Sequence, residues 1–303
     1  MKEYNVESKV KETIEKFNLA EKKDKIVVAL SGGKDSTSLL YILHKLGYNV
    51  EGLMIDLDLG EWSKIHKKNM EEFCSGLGVK LVVVDLKKEL GHGICYIKSI
   101  VKKQKNVTGC TVCGIIKKYI LNKWAKKLGA DKIATGHNLD DETQTVLMNF
   151  LKGNLYLGIN SSPATGLSNA NGSGNRIQLS SSARTTLTSS KTPKGFTQRI
   201  KPLFFVPEEK MREYAKKKGF KILYERCPCA IGTYRVETRA WLKSVTDDKS
   251  KEKIVENFQK IIPSLKKKAN FDSSGICECK YCGEPTRNEI CNACKIFECF
   301  RER

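Results

Sequence analysis

Three groups of residues in this 303-residue chain have the types and spacing to do chemistry. The first is Ser31-Gly32-Gly33-Lys34-Asp35-Ser36, placed between the apolar run Lys25–Leu30 and a helical pattern over 37–46. Strand, glycine turn and helix start, in that order, make an anion site. The glycines let backbone approach a phosphate, and the N–H groups and dipole of the helix start favour negative charge. Lys34 adds a mobile cation, and Ser31 and Ser36 add hydroxyl donors. The spacing is neither G-x-x-x-x-G-K-[ST] nor G-x-G-x-x-G, so a Walker-type NTPase is disfavoured and a dinucleotide site unsupported. A glycine turn with a Ser/Asp helix cap is the plainer alternative.

The second group is Cys110-Thr-Val-Cys113, which opens a helical stretch over 114–128, with Cys227-Pro-Cys229 downstream. Thiols at a helix start have lowered pKa values and make good nucleophiles and metal ligands. Spacing alone leaves a redox pair, half a zinc site, part of an iron–sulfur site and buried structural cysteines all open. The third group is Cys279-x-x-Cys282 and Cys291-x-x-Cys294, separated by eight residues. Two such knuckles read as a four-cysteine zinc ribbon, a structural tetrahedral site. Cys277 and Cys299 are left over as substitute ligands. A ribbon could grip RNA or brace the domain, and the sequence does not choose.

The elements that must position these groups alternate in type. Val6, Val10, Ile14 and Phe17 have helical spacing. Strand-like runs follow at 25–30, 50–57, 79–86 and 131–135, with helices expected at 37–46, 62–77, 114–128 and 141–151, the last with Asp140 as N-cap. The alternation predicts an α/β fold, a doubly wound parallel sheet with an N-terminal helix and a small C-terminal zinc ribbon. Residues 160–195, rich in Ser, Thr, Asn and Gly, break the rhythm as an insertion. A strand at 199–205 resumes it, and Pro207 opens a helix with Glu208 and Glu209 in its first turn. The expected division is 1–24, an N-terminal helical segment; 25–245, the catalytic domain; and 246–303, a helix and the metal-binding tail.

Composition narrows the partners. Lys and Arg number 54 against 34 Asp and Glu, a net charge of +20. RNA leads on that charge. Lys-rich stretches at 98–105, 117–127, 216–221 and 264–268 would supply phosphate contacts, and Arg235 and Arg239 beside Trp241 are the better RNA candidates. No apolar run reaches membrane-spanning length and no secretory leader is evident, so the expectation is a cytoplasmic protein with no membrane partner. In a reducing compartment, 12 cysteines read as metal or redox chemistry rather than disulfides.

The loop SGGKDS after a strand resembles that of the ATP-pyrophosphatase superfamily, whose members adenylate an oxygen and let a nucleophile displace AMP. The resemblance implies ATP on Ser31–Ser36, magnesium near Asp35, and adenosine by Asp56, at the carboxyl edge where such sheets bind ligands. Gly109-Cys-x-x-Cys-Gly, then Ala134-Thr-Gly136-His-Asn-Leu-Asp-Asp141, then a Cys-Pro segment after a Pro-Leu strand, is similar to the tRNA thiolases of the TtcA/TtuA/NcsA group. It covers roughly residues 5–160 and 198–245. The resemblance implies a 4Fe-4S cluster on Cys110, Cys113 and Cys227, with one iron open as a sulfur carrier. Cys229 stands where the group often has a non-ligand. Lys117 and Asp141 match a basic position beside the activated nucleotide and its acidic counterpart, and Gly136 falls among the ATP residues. His137 reads more simply as a strand-end hydrogen-bonding residue. Many relatives in the group carry a further zinc module ahead of the helix with which this chain begins, and the expectation is that it is absent here.

The function implied is ATP-dependent 2-thiolation of a tRNA uridine. Val146–Gly153 looks more like the wobble-uridine thiolases of archaea and eukaryotes, with the T-loop uridine and an anticodon-loop cytidine as alternatives. The partners implied are tRNA and a sulfur donor (sulfide or a carrier protein), and the group is often homodimeric. Two rivals remain. A zinc-only ligase of a small molecule or of lysidine would work without iron, and for a non-catalytic zinc-bearing RNA-binding protein Lys34→Ala would be harmless.

Overall fold

The computed structural model describes residues 4–105, 107–165, 197–225, 227–230, 234–268 and 277–301. Helix α1 (Val6–Phe17) has the predicted bounds; the Asn5 side chain caps its start by accepting from Ser8 N–H, and Asn18 ends it at φ 46°. Strand β1 (Lys25–Leu30) leads to α2 (Lys34–Lys45), β2 (Asn49–Asp56), α3 (Glu61–Gly76) and β3 (Leu81–Asp85). Next come α4 (Leu86–Leu90), α5 (Ile94–Gln104), α6 (Gly109–Lys127), β4 (Lys132–Ala134) and α7 (Leu139–Leu151). The pair β5 (Ala164–Thr165) and β6 (Gln198–Ile200) flanks the expected insertion, which from residue 166 to 196 lies outside the described residues.

The strands line up as β3-β2-β1-β4-β6, all parallel, with β5 antiparallel on the outer edge of β6. The chain adds β2 and β3 on one side of β1, then β4 and β6 on the other. Its switch point therefore falls between the carboxyl ends of β1 and β4, where open α/β sheets hold ligands. Val28 pairs with Ala134, so residues 31–36 and 135–137 leave the sheet side by side.

Two expectations need correction. The helix expected from 114 starts at Gly109, capped by the Thr108 hydroxyl, which accepts from Thr111 N–H at 3.3 Å. Cys110 and Cys113 thus sit inside the helix, as its second and fifth residues. The run expected as strand over 199–205 is extended only to Ile200; it then turns, with Phe204 N–H bonded to Lys201 O and Val206 N–H to Leu203 O. Pro202 has no N–H to continue the ladder. Phe204 and Phe205 instead fill the space beneath α1 and the helix over Asp248–Lys268.

Helix α8 (Glu208–Lys217) follows Pro207 as expected. Then come α9 (Tyr234–Val245) and α10 (Asp248–Lys268), whose Val255, Phe258 and Ile262 bury against Leu139, Phe205 and Val146. The tail is a short hairpin, β7 (Cys277–Glu278) and β8 (Pro285–Thr286), and helix α11 (Asn292–Arg301). It packs on α6: Phe297 meets Tyr119 edge-on at 5.1 Å, and Glu284 accepts from Asn122 and Lys126, both at 3.2 Å. The tail therefore braces the helix that carries Cys110 and Cys113. Among the described residues no helix is long and apolar enough to cross a membrane.

Candidate functional site

The loop after β1 is closed by its own serines: Ser31 N–H donates to Ser36 Oγ at 3.1 Å, and the two hydroxyls are 3.1 Å apart. Gly32 lies at φ +78°, and a Cβ there would fall 2.1 Å from the ring of His66, a buried side chain from α3. Gly33 starts α2 without any side-chain cap, which leaves the first-turn N–H groups to an external anion. Gly136 explains itself by approach. A Cβ at that position would stand 2.9 Å from Ser36 N, so the glycine lets the β4 loop abut the start of α2.

Charged side chains from four helices converge beside this loop. Lys34 Nζ, its side chain 11% exposed, donates to Asp35 Oδ2 at 2.9 Å and to Glu208 Oε1 at 3.1 Å. Arg239 from α9 pairs with Asp141 Oδ1 at 2.5 Å and reaches Glu208 at 3.6 Å. Asn138 links the two groups: it caps α7 by accepting from Asp141 N–H and donates to Asp35 Oδ1 at 3.3 Å. Burial would raise the Glu208 carboxyl, but Lys34, Arg239 and Lys243 outweigh it and bring it down to about 2. For Asp35 burial wins over Lys34, and its proton affinity rises. Arg239 Nε is buried without a hydrogen-bond partner among the described residues, a donor open to a ligand or water.

Asp140 departs from expectation. Asn138 caps α7, and Asp140 instead caps α8, accepting from Glu208 N–H at 2.7 Å while holding the buried Lys251 at 2.8 Å. His137 matches the plainer reading: its Nδ1 lies 3.0 Å from the Thr135 hydroxyl, and burial lowers its pKa.

The inner cysteines form a separate group at the start of α6. Burial pushes the Cys113 thiol up, against the pull of the nearby Lys117 and Lys98. Cys110 is exposed, with its Sγ 4.0 Å from the Cys229 carbonyl oxygen. Sequence reasoning missed Cys95, on α5. Its thiol pKa is raised, by burial first and then by the neighbouring Cys229, against the pull of Lys98. Lys98 packs along Gly109, where a Cβ would meet its Cδ at 3.4 Å. The apolar spacing of Ile94, Ile97, Ile100 and Val101 could have revealed α5, but not that it packs against α6 and α11.

The outer cysteines have another geometry. The sulfur atoms of Cys279, Cys282, Cys291 and Cys294 all lie within 4.8 Å of one another, and Cys282 and Cys291 are 3.6 Å apart. An edge of roughly 3.8 Å follows from tetrahedral Zn–S bonds of about 2.3 Å, so the set fits one four-coordinate ion, zinc or iron. Cys279 Sγ accepts from Cys291 N–H at 3.2 Å and Cys291 Sγ from Cys294 N–H at 3.4 Å. Cys277 donates instead to backbone carbonyls, and Cys299 to Lys295 O. The inner thiols do not make so tight a set among the described residues.

The remaining candidates are more dispersed. Asp56 ends β2 at the carboxyl edge and accepts from Asp58 N–H at 3.0 Å. Arg235 donates to the Gln144 side chain at 3.2 Å, an exposed neighbour of the Arg239 network.

A family model described as "PP-loop domain" matches residues 2–225. The chain is 34% identical over 300 residues to tRNA-5-methyluridine(54) 2-sulfurtransferase of Pyrococcus horikoshii, covering 98% of this chain and 85% of that one. It is 27% identical over 282 residues to tRNA 2-thiolation protein NcsA of Haloferax volcanii, covering 90% and 81%. Among solved structures, U34-tRNA thiolase NcsA from Methanococcus maripaludis with its [4Fe-4S] cluster superimposes with a TM-score of 0.69 at 22% identity, over 97% of this chain and 87% of that one. That likeness concerns the fold.

Proposed function

The chain belongs to the PP-loop family, and from that premise we propose that it is an ATP-dependent tRNA sulfurtransferase that replaces the C2 oxygen of a uridine with sulfur. The reading is supported by the PP-loop match with its uncapped start of α2, by Cys110 and Cys113 at the start of α6, and by 34% identity to a protein named for this reaction. ATP sits with its phosphates on Gly32, Gly33 and the start of α2. Lys34 leaves its carboxylate partners for the phosphates, and Asp35 offers the oxygen for an accompanying Mg²⁺. The adenosine lies toward Asp56.

The uridine O2 attacks the α-phosphorus, pyrophosphate leaves, and the adenylated base then loses AMP to an incoming sulfur nucleophile. Asp141, held by Arg239 and Asn138, is placed to take or return the proton, and Lys117 to steady the charge on the activated base. Cys110, Cys113 and Cys227 would hold a 4Fe-4S cluster, which supplies an iron left open by three-thiolate ligation as a place for sulfur. Zinc is our assignment for the four outer cysteines. Basic side chains including Arg235 contact the tRNA backbone.

The 34% identity favours uridine 54 as target. The wobble uridine is the second reading, favoured by residues 146–153. The test is an anaerobic reaction with ATP, sulfide and tRNA transcripts, followed by nucleoside mass spectrometry. Formation of 2-thiouridine with AMP supports thiolation, and its loss on replacing one uridine fixes the position. Sulfur-free tRNA with full iron content would overturn the reading.

A further inference from the structure

His66 is a buried imidazole, 2% exposed, and neither of its ring nitrogens has a hydrogen-bond partner among the described residues. An unpaired polar group in the interior is destabilising, and the few that persist call for a use. The side chain comes from the second turn of α3. Trp62, one turn before it, packs on the ring with centroids 4.0 Å apart. Its Nδ1 faces the phosphate loop: a Cβ on Gly32 would fall 2.1 Å from that atom. Burial holds the imidazole below its ordinary 6.5, so the ring is neutral at pH 7 and carries one N–H, while the Gly32 backbone pulls the other way, as an acceptor does.

The loop beside it has a matching loose end. Gly33 N–H donates to the Ser31 hydroxyl at 3.4 Å, a long bond. In a planar trans peptide the C=O and N–H point opposite ways, so aiming Gly33 N–H at an anion turns the Gly32 carbonyl away from it. That rotation falls on ψ of Gly32 and φ of Gly33, and neither residue has a Cβ to resist it. We propose that His66 is a positioning residue for the nucleotide phosphates: its Nδ1–H holds the Gly32 carbonyl and so aims Gly33 N–H at a phosphate oxygen of ATP. The proposal rests on the ATP-binding part of the reading above and not on thiolation. One turned peptide exchanges the long Ser31 contact for a charge-assisted bond and gives the buried imidazole its partner.

The test is calorimetric titration of the metal-loaded full chain with Mg²⁺–ATP, together with the histidine ring-nitrogen NMR spectrum before and after. The His66 signals, picked out from those of the four histidines by their loss in His66→Asn, should report an N–H on Nδ1 whose resonance shifts on binding. His66→Phe keeps an aromatic ring without the donor and should weaken ATP binding by roughly three- to tenfold. Its melting temperature without ATP should not fall, because two unpaired nitrogens go with the substitution. His66→Asn keeps a donor at the Nδ1 position and should bind ATP within about twofold of wild type. A histidine with a structural role alone gives the reverse pattern, a lowered melting temperature with unchanged ATP affinity, and that result would overturn the proposal. So would an unshifted Nδ1 signal in wild type saturated with ATP, a reading that stands even where His66→Phe does not fold. Wild type that binds no ATP would overturn the ATP-binding reading instead.

Discussion

Glu208→Gln is expected to remove stability that depends on pH. The Glu208 side chain, 9% exposed, lies 3.1 Å from Lys34, 3.6 Å from Arg239 and 3.5 Å from Lys243. Burial works against the charged carboxylate, the cations prevail, and the group falls from 4.5 to about 2. A difference of that size is equivalent to about 3 kcal/mol of native-state stabilisation at pH 7, at about 1.4 kcal/mol per unit. Because the folded value is the lower one, this stability is complete above 4.5 and is lost as pH falls toward 2. At pH 3 about 1.5 kcal/mol of it remains. Urea unfolding of wild type and Glu208→Gln at matched metal content, from pH 7 to pH 3, reads the gap directly. It should shrink by about half across that range. A gap of constant size, or no gap at pH 7, would refute the assignment of Glu208 as the anion shared by these cations.

Lys34→Ala should lower ATP-dependent pyrophosphate release by about 10²-fold or more while the chain stays folded, as read by a pyrophosphate assay and circular dichroism. Lys251→Met removes the buried partner of Asp140 and should cost about 3–5 kcal/mol, read by denaturant unfolding. Cys279→Ala should abolish retention of the outer metal and lower the melting temperature, since the tail braces α6; metal analysis and calorimetry check both. Arg235→Ala should reduce the slope of log affinity for tRNA against log salt by about one, read by filter binding over a salt series.

Local signals carried much of the architecture. The spacing of Val6, Val10, Ile14 and Phe17 gave α1 its bounds, and the alternation of apolar runs with helical stretches foretold the parallel sheet. Both reflect side-chain periodicity, which is written in neighbouring residues. The Cys279–Cys294 spacing likewise encodes a closed four-donor geometry. The side-chain pairings at the site were not legible in that way. Glu208 was visible as a first-turn acid, but not as a partner of Lys34, 174 residues away in sequence. Asp140 was read as a cap for its own helix because caps are local; here it caps α8, brought close only by the fold. Cys95 gave no motif, and its place beside the inner cysteines depends on how α5 packs against α6.

The central claim is that Cys110, Cys113 and Cys227 hold an iron–sulfur centre distinct from the outer four-cysteine ion. Anaerobic purification with iron, sulfide and zinc analysis and an absorption spectrum tests it most directly. The account predicts about four irons per chain, lost in Cys110→Ala, Cys113→Ala and Cys227→Ala and retained in Cys229→Ser. Zinc without iron after anaerobic reconstitution would contradict it and leave a zinc-only PP-loop ligase in its place.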